Sequence, residues 1–487
     1  MKNQITVFIP FSKDQINNFN MKTFGNEPSV KNIFFLTTKK EITQKDNTLY
    51  INSFFAKSTL NKITKYTDTK YLLIVTKEGR ISLGKNALTK FINTVSKKNA
   101  GIVYSNYSEI ENKKTKNHPV NEYQFGSVRD NFDFGPLMFF SKNKFEKQLT
   151  EIKNKILWNG IYSIRLSLSV KNEIKKNNKY LYSFEELKKI KESKKHFEYL
   201  EKENAAKQKE AERILTLHLK EIGAYLKPQI KNIELSKPKS KTEVSIIIPV
   251  KNRERTIEDA IRSAQSQKLK NPFNIIVINN HSTDRTKKII EKLAETDKRI
   301  IHIIPPKKNL GIGGCWNVAV NHKNCGNFSV QLDSDDIYKN EKTLQTIVDK
   351  YYKEKCGMVI GAYQLTDFNL NGIPPGIIAH NEWTKTNGHN NALRVNGFGA
   401  PRAFLTRLLK ESPFPNVSYG EDYSVCLAIS RKYKVGRIYK PIYICRRWSG
   451  NTDSDILIDK KNEYDFYKDS LRTTEIKKRI KLNKKLK

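Results

Sequence analysis

The chain has 487 residues and a mass of 56.5 kDa, room for two or three domains with sizeable cores. Hydrophobic residues make up 38% and charged residues 29%, with 22 Gly and 16 Pro, which excludes a disordered or fibrous protein. The net charge of +39 (89 basic, 50 acidic) attracts polyanions, but lysine is spread through nearly every segment, so no specific nucleic-acid surface is expected.

Taken in chain order, the first apolar segment is ITVFIPFSKD, a strand interrupted at Pro10. KYLLIVTKEG, AGIVYSNYSEI, FDFGPLMFF and NGIYSIRLSLS follow. From about Ser183 to Thr242 the sequence turns Glu/Lys-rich, with apolar Ile214, Leu215, Leu217, Leu219, Ile222 and Leu226. Without a sustained heptad, this reads as a helical connector and linker. The second half then repeats the landmarks of the first: VSIIIPVKNRE, interrupted at Pro249, FSVQLDSDD, CGMVIGAYQLT, NGFGAPRAF and GEDYSVCLAIS. Five landmarks in one order point to a tandem duplication.

In the second half, VSIIIPV, a helix from Thr256 to Gln267, FNIIVINN, a helix from Thr286 to Glu295 and RIIHIIP alternate. That alternation predicts βαβ units, so each half is expected to be a Rossmann-like α/β domain with a mostly parallel sheet. No apolar run approaches the roughly 20 residues that cross a bilayer, and MKNQITVFIPFS lacks a signal-peptide layout. A cytoplasmic protein is expected. The basic stretch Lys477–Lys487 is its best candidate for a weak peripheral contact with the inner face of a membrane. The five cysteines, all in the second half and without a CxxC pair, read as reduced thiols.

Ligands of open α/β sheets bind beyond the carboxyl ends of the strands. Polar clusters stand at those places in the second half: Lys251, Asn252 and Arg253; Asn279 to Asp284; and Asp333, Ser334, Asp335 and Asp336. The acidic cluster suits Mg²⁺ or Mn²⁺ shared with a diphosphate; alternatively, it caps a helix that follows Tyr338. Gly311, Gly313 and Gly314 do not complete a dinucleotide fingerprint, because Trp316 occupies its last glycine position. Among the histidines, His380 is the one to watch as a site contact.

The ordered set VSIIIPVKNRERTIEDAIRSAQSQ, VINNHSTDRT, NLGIGGCWN, QLDSDD, GEDYSVCLAISRKYKVG and RRW resembles the family 2 glycosyltransferases of the GT-A fold over residues 243 to 455. The resemblance implies transfer, with inversion, of a sugar from a nucleoside diphosphate, usually UDP, to an acceptor hydroxyl, with Mn²⁺ or Mg²⁺. It implies a nucleotide pocket at Pro249, Asn252, Asn280 and Asp284, with Asn317 also on the donor side. Asp333 falls near ribose and metal, Asp335 at the metal, Asp422 as the base and Glu421 beside the acceptor. Arg447 and Trp448 match the family's Arg-Trp element, for diphosphate and sugar face. Departures are Asn279 and Asn280 in place of two acids, Trp316 in place of an arginine, and Ile444 at the first position of the processive enzymes' Gln-x-x-Arg-Trp.

The first half offers Thr76, Glu78 and Gly79 against Asp333, Asp335 and Asp336, and Gly160 and Ile161 against Glu421 and Asp422. Its densest polar cluster is Arg129, Asp130 and Asp133. The expected organisation is a degenerate, non-catalytic GT-A-like domain over 1–182, a connector over 183–242, a catalytic domain over 243–455 and a basic helical tail over 456–487. The expected partners are a nucleoside-diphosphate sugar and a glycan or lipid-linked saccharide in cell-surface polysaccharide synthesis. The alternative is a non-catalytic carbohydrate- or nucleotide-binding protein.

Overall fold

The computed structural model describes residues 2–44, 47–171, 173–187, 204–228, 233–235, 241–448 and 456–485. Two compact units emerge: Met1–Tyr225 with Leu457–Lys487, and Leu226–Ile456.

Among the described residues the first unit is built on nine strands: β1 (Ile5–Pro10), β2 (Val30–Thr37), β3 (Thr48–Tyr50), β4 (Tyr71–Val75), β5 (Gly79–Leu83), β6 (Ile102–Glu111), β7 (Lys114–His118), β8 (Leu137–Ser141) and β9 (Ile174–Glu186). Their order is β3-β2-β1-β4-β8-β6-β9-β5, with β7 on β6. The second unit has β10 (Val244–Val250), β11 (Phe273–Asn279), β12 (Ile300–Ile303), β13 (Phe328–Gln331), β14 (Ile337–Tyr338), β15 (Met358–Thr366), β16 (Gly372–Ile378), β17 (Arg402–Leu405) and β18 (Val435–Arg446). These are ordered β12-β11-β10-β13-β17-β15-β18-β14, with β16 on β15. Strand for strand, the second order is the first with nine added.

In each sheet six strands run one way, and the counterparts β5, β7, β8 and β14, β16, β17 run the other. The central strands β1, β4, β10 and β11 are apolar runs buried on both faces, as parallel strands covered by helices require. Pro10 and Pro249 fall past the last pairings with the inner neighbours, Phe8 with Ile74 and Ile247 with Gln331. There the missing N–H breaks no bond to those strands.

The duplication holds at residue level. Tyr71 pairs with Ser141, and Phe328 with Leu405, so equivalent positions differ by 257 in β4/β13 and by 264 in β8/β17. Gly135 and Gly399, 264 apart, both adopt the left-handed backbone that glycine tolerates, φ +71° and +100°. Tyr162 and Tyr423, at the starts of helices Gly160–Val170 and Glu421–Ser430, each donate their hydroxyl over 2.6 Å to an upstream carbonyl, Val128 and Ala392.

Two stretches differ from the sequence reading. Strand β9 extends into the expected connector, and helix Ala205–Glu221 buries Ala211, Ile214, Leu215 and Leu219 within the first unit. The connector's segment 188–203 lies outside the described residues. The basic tail is a helix, Ile458–Lys485, that also packs in the first unit. Its Asp469 pairs with Arg472 at 2.7 Å and with Arg129 at 3.4 Å, and Glu475 pairs with Arg479 at 2.8 Å, all buried. Arg129 thus anchors a helix, and Asp133 pairs with His118 at 2.9 Å.

Candidate active site

The acidic loop leaves β13 at its carboxyl end. Capping is excluded as its role, because β14 follows at Ile337–Tyr338 and the next helix starts at Thr343. The loop is braced from several sides. The Asp333 amide donates to the Tyr443 hydroxyl at 2.9 Å, and Gln331 Nε2 donates to both Asp333 carboxylate oxygens at 2.8 and 2.9 Å. Arg446 donates its backbone N–H to Asp336 and its Nε to the Asp335 carbonyl.

The acids of the GEDYS segment sit at the start of helix Glu421–Ser430, after Gly420 at φ +80°. The glycine-rich turn that failed as a dinucleotide motif places this segment. At Gly313 a Cβ would lie 2.0 Å from the Pro415 carbonyl oxygen. Gly313 N–H donates to the Val417 carbonyl, and Gly311 N–H to Asn416 Oδ1. Asn317, expected at the donor, instead has both ends of its amide on the Phe414 backbone, at 2.8 and 3.0 Å. It braces the approach to Glu421 from helix Ile312–Asn321. Trp316 is buried and stacks on Phe414 at 5.1 Å, a packing role.

Arg402, the first residue of β17, joins the two acid groups. Its Nη1 lies 3.0 Å from Asp422 Oδ2 and donates to the Gly399 carbonyl at 2.8 Å, while its amide donates to Gln331 Oε1. Burial works against its charge, but the carboxylates of Asp422 and Asp333 outweigh it and hold its guanidinium more firmly protonated. The site nevertheless carries an excess of negative charge. Burial, with the charges of Asp335 and Asp422, raises the Asp333 pKa against the pull of Arg402 and Gln331. Burial and the charge of Asp422 push Glu421 up to about 8, so it is neutral at pH 7, and its buried Oε2 has no hydrogen-bond partner among the described residues. Asp336 is raised as well, by burial and by Asp333 and Asp335.

The remaining expected residues sit around this centre. Asn252, in the left-handed region at φ +52°, receives the Thr283 amide and donates its own to Ser282. Asn280 donates to the Leu310 carbonyl, and its buried Oδ1 has no partner among the described residues. Asp284 is a loop clip. It accepts the Thr286 and Glu254 amides, and although burial pushes its carboxyl up, these bonds hold it below the usual range. Arg253 Nε stands 3.9 Å from Asp335 Oδ2. Arg447 gives its backbone N–H to Thr366, and Trp448 packs by Phe368 with the Arg255 guanidinium 5.1 Å from its ring centre. His380 pairs with Glu382 at 2.8 Å and packs against Gly399.

The sequence reading missed Gln331, Arg402 and Arg446. Arg402 carried a readable signal: in the NGFGAPRAF landmark it stands opposite Met138 of FDFGPLMFF, a charge where the repeat has a core residue. At its equivalent positions the first unit places Ile74 for Gln331, Thr76 for Asp333, Met138 for Arg402 and Ile161 for Asp422. Ile74 and Met138 are buried, and Glu78 is exposed.

For a divalent cation, the donor set is hard oxygen. Among the described residues no three histidine, cysteine or acidic side chains converge as a metal cage. Asp333 and Asp335 fit such an ion only if other oxygens, from a diphosphate and water, complete its shell.

The family model for glycosyl transferase family 2 matches residues 245–410. The Escherichia coli UDP-Glc:alpha-D-GlcNAc-diphosphoundecaprenol beta-1,3-glucosyltransferase WfgD is 31% identical over 196 residues, covering 40% of this chain and 72% of that protein. An uncharacterized glycosyltransferase of Haemophilus influenzae is 28% identical over 235 residues, 45% of this chain and 70% of the other. Among solved structures, S. aureus TarS 1-349 in complex with UDP-GlcNAc aligns with 21% identity and a TM-score of 0.38 over 48% of this chain and 66% of its own, just under two thirds. By the family model and its similarity to WfgD, the chain belongs to the family 2 glycosyltransferases.

Proposed function

We propose that the second unit transfers a sugar, with inversion, from a nucleoside-diphosphate donor, UDP-linked, to a hydroxyl of a glycan or lipid-linked saccharide in polysaccharide synthesis. The observation that carries this reading is the convergence of Asp333, Glu421 and Asp422 on Arg402 at the carboxyl ends of the strands, beside Asp335. WfgD, by its name, takes UDP-Glc and a diphosphoundecaprenol-linked acceptor. In this reading Asp422 accepts the proton of the acceptor hydroxyl as that oxygen bonds to the anomeric carbon, and the diphosphate leaves from the opposite face with the electron pair. Arg402 orients Asp422, and neutral Glu421 donates a hydrogen bond to the acceptor. Asn252 and Asn280 flank the nucleoside, Asn280 through its unpartnered Oδ1, beside Pro249 and the Asp284 clip. Arg447 faces the diphosphate and Trp448 the sugar.

Asp335 and Asp333 would hold Mn²⁺ or Mg²⁺, which when bound neutralises charge on the leaving diphosphate. Among the described residues no helix is long and apolar enough to cross a membrane. In this reading, work on a lipid-linked acceptor proceeds peripherally at the inner face of the membrane, with the basic C-terminal helix as a weak contact. The first unit is assigned no catalysis.

The test is a panel of UDP-, GDP- and dTDP-sugars with Mn²⁺ or Mg²⁺, reading released nucleoside diphosphate, beside Asp335→Ala and Asp422→Asn. Metal-dependent turnover of one donor, lost in both variants, is expected. Turnover that survives Asp422→Asn would overturn the assignment of the base, and turnover unaffected by chelation would overturn the metal.

A further inference from the structure

The first unit, stripped of its counterpart active site, has a cavity elsewhere. It is formed by helices Lys142–Glu151, Gly160–Val170 and Ala205–Glu221 and has a volume of about 360 Å³, within the range of small-molecule sites. Its walls include Ile152, Ile156, Leu166, Ile214 and Leu217. Leu217 is 44% exposed although it lies on a helix that otherwise turns its leucines inward.

His218, 4% exposed, lines the same cavity, and neither of its ring nitrogens has a hydrogen-bond partner among the described residues. A buried polar group left this way is destabilising unless a partner satisfies it. Burial and the neighbouring Arg165 push its pKa down to about 4, so the imidazole is neutral. A neutral imidazole needs a donor for one nitrogen and an acceptor for the other. An ammonium offers only donors and a carboxylate only acceptors, whereas a hydroxyl offers both.

The charges around the cavity cancel. Glu151 and Glu221 face Lys153 and Arg213, whose Nη2 is held by the Lys155 carbonyl at 2.7 Å. Glu221 is raised by burial and by the charge of Glu151, against the pull of Lys171, and both carboxylates can accept hydrogen bonds from hydroxyl donors.

We propose that this cavity is a second, non-catalytic binding site for one or two units of a neutral saccharide, with hydroxyls on His218, Glu151 and Glu221 and C–H faces on the isoleucine and leucine walls. It lies in the first unit and stands or falls separately from the catalytic reading of the second.

The test uses the full-length protein with methyl glucoside, methyl galactoside and N-acetylglucosamine, against glucosamine and glucuronate as charged controls. Binding is followed by saturation-transfer NMR and located by hydrogen–deuterium exchange. At least one neutral sugar is expected to saturate below ~50 mM, a weak single-site affinity, and to protect peptides spanning 151–167 and 213–221. Glu221→Lys and Leu217→Trp, both at exposed positions, should weaken that binding more than tenfold and leave donor turnover unchanged. The proposal is overturned by the absence of saturation, by protection elsewhere, by equal binding of the charged sugars, or by wild-type binding in both variants.

Discussion

Glu421 gives the sharpest test of the site's electrostatics. Its pKa rises from 4.5 to about 8 in the fold, so between those values the unfolded chain has released a proton that the folded chain keeps. Stability must fall as pH rises through that window. At 1.36 kcal/mol per pKa unit, the wild type forfeits at most about 3–4 kcal/mol between pH 5 and pH 8 from this group. Glutamine cannot ionise and has nothing to lose. The stability advantage of Glu421→Gln should therefore widen by roughly 2–4 kcal/mol from pH 5 to pH 8, the lower figure allowing for its coupling to Asp422. Urea unfolding followed by tryptophan fluorescence, with chelator and without donor, measures this. Trp316, Trp383 and Trp448 all lie in the second unit, against Trp158 alone in the first. Asp422→Asn removes the second cause of the shift and should shrink the gap. A difference that stays constant across pH, or one that narrows, would refute the argument that Glu421 is held protonated.

The same shift implies that donor turnover declines above about pH 8 in the wild type, as a further negative charge appears beside Asp333 and Asp422; a pH–rate profile of Glu421→Gln should lack that limb. Arg402→Met copies the first unit and leaves Asp422 and Asp333 without their shared cation. It should lower kcat by on the order of 10²-fold or more, comparable to losing one positioned electrostatic group, and move the acidic limb of the profile upward. Gly313→Ala puts a methyl group 2.0 Å from the Pro415 oxygen. Backbone must shift, at a cost of about 1–3 kcal/mol in a thermal or urea melt, and turnover should fall because that segment leads into Glu421. Glu78→Ala, at the first unit's only counterpart carboxylate to the acidic loop, should leave turnover within about twofold, as surface substitutions away from a site usually do.

Much of this architecture is legible in the chain because strands buried on both faces must be apolar throughout. VSIIIPV and FNIIVIN announce themselves, and the five repeated landmarks all fall on equivalent elements. The acids of QLDSDD stand directly after an apolar strand, where ligands of open α/β sheets bind. Glu421 and Asp422 are singled out by the family resemblance alone, since acids that open a helix are favoured there by its dipole in any case. The residues that complete the network are harder to read, because Gln331, Arg402 and Arg446 lie within the strands β13, β17 and β18, where alternation predicts packing. Several of their contacts are far apart in sequence: Arg402 to Gln331 spans 71 positions and Arg446 to Asp259 spans 187. Asn317 is placed on the donor side by the family resemblance alone; its two hydrogen bonds to the Phe414 backbone join positions 97 apart that only the fold brings together.

The residues of this network differ between the two units as a block. In the second unit Gln331 restrains Asp333 and the Arg402 amide, and Arg402 compensates Asp333 and Asp422 together. Removing any one member leaves another buried group unpaired, at a cost of a few kcal/mol, so intermediate versions of the network are unstable. The first unit has Ile74, Thr76, Met138 and Ile161 at these positions, side chains that need no charged partner. Its Thr76 amide and hydroxyl both turn to the Pro136 carbonyl instead. An apolar set of similar volume is as stable as the ionic one and often more so. The fold therefore does not depend on the active-site network. Reinstating Asp, Arg or Gln singly in the first unit would leave an uncompensated buried group.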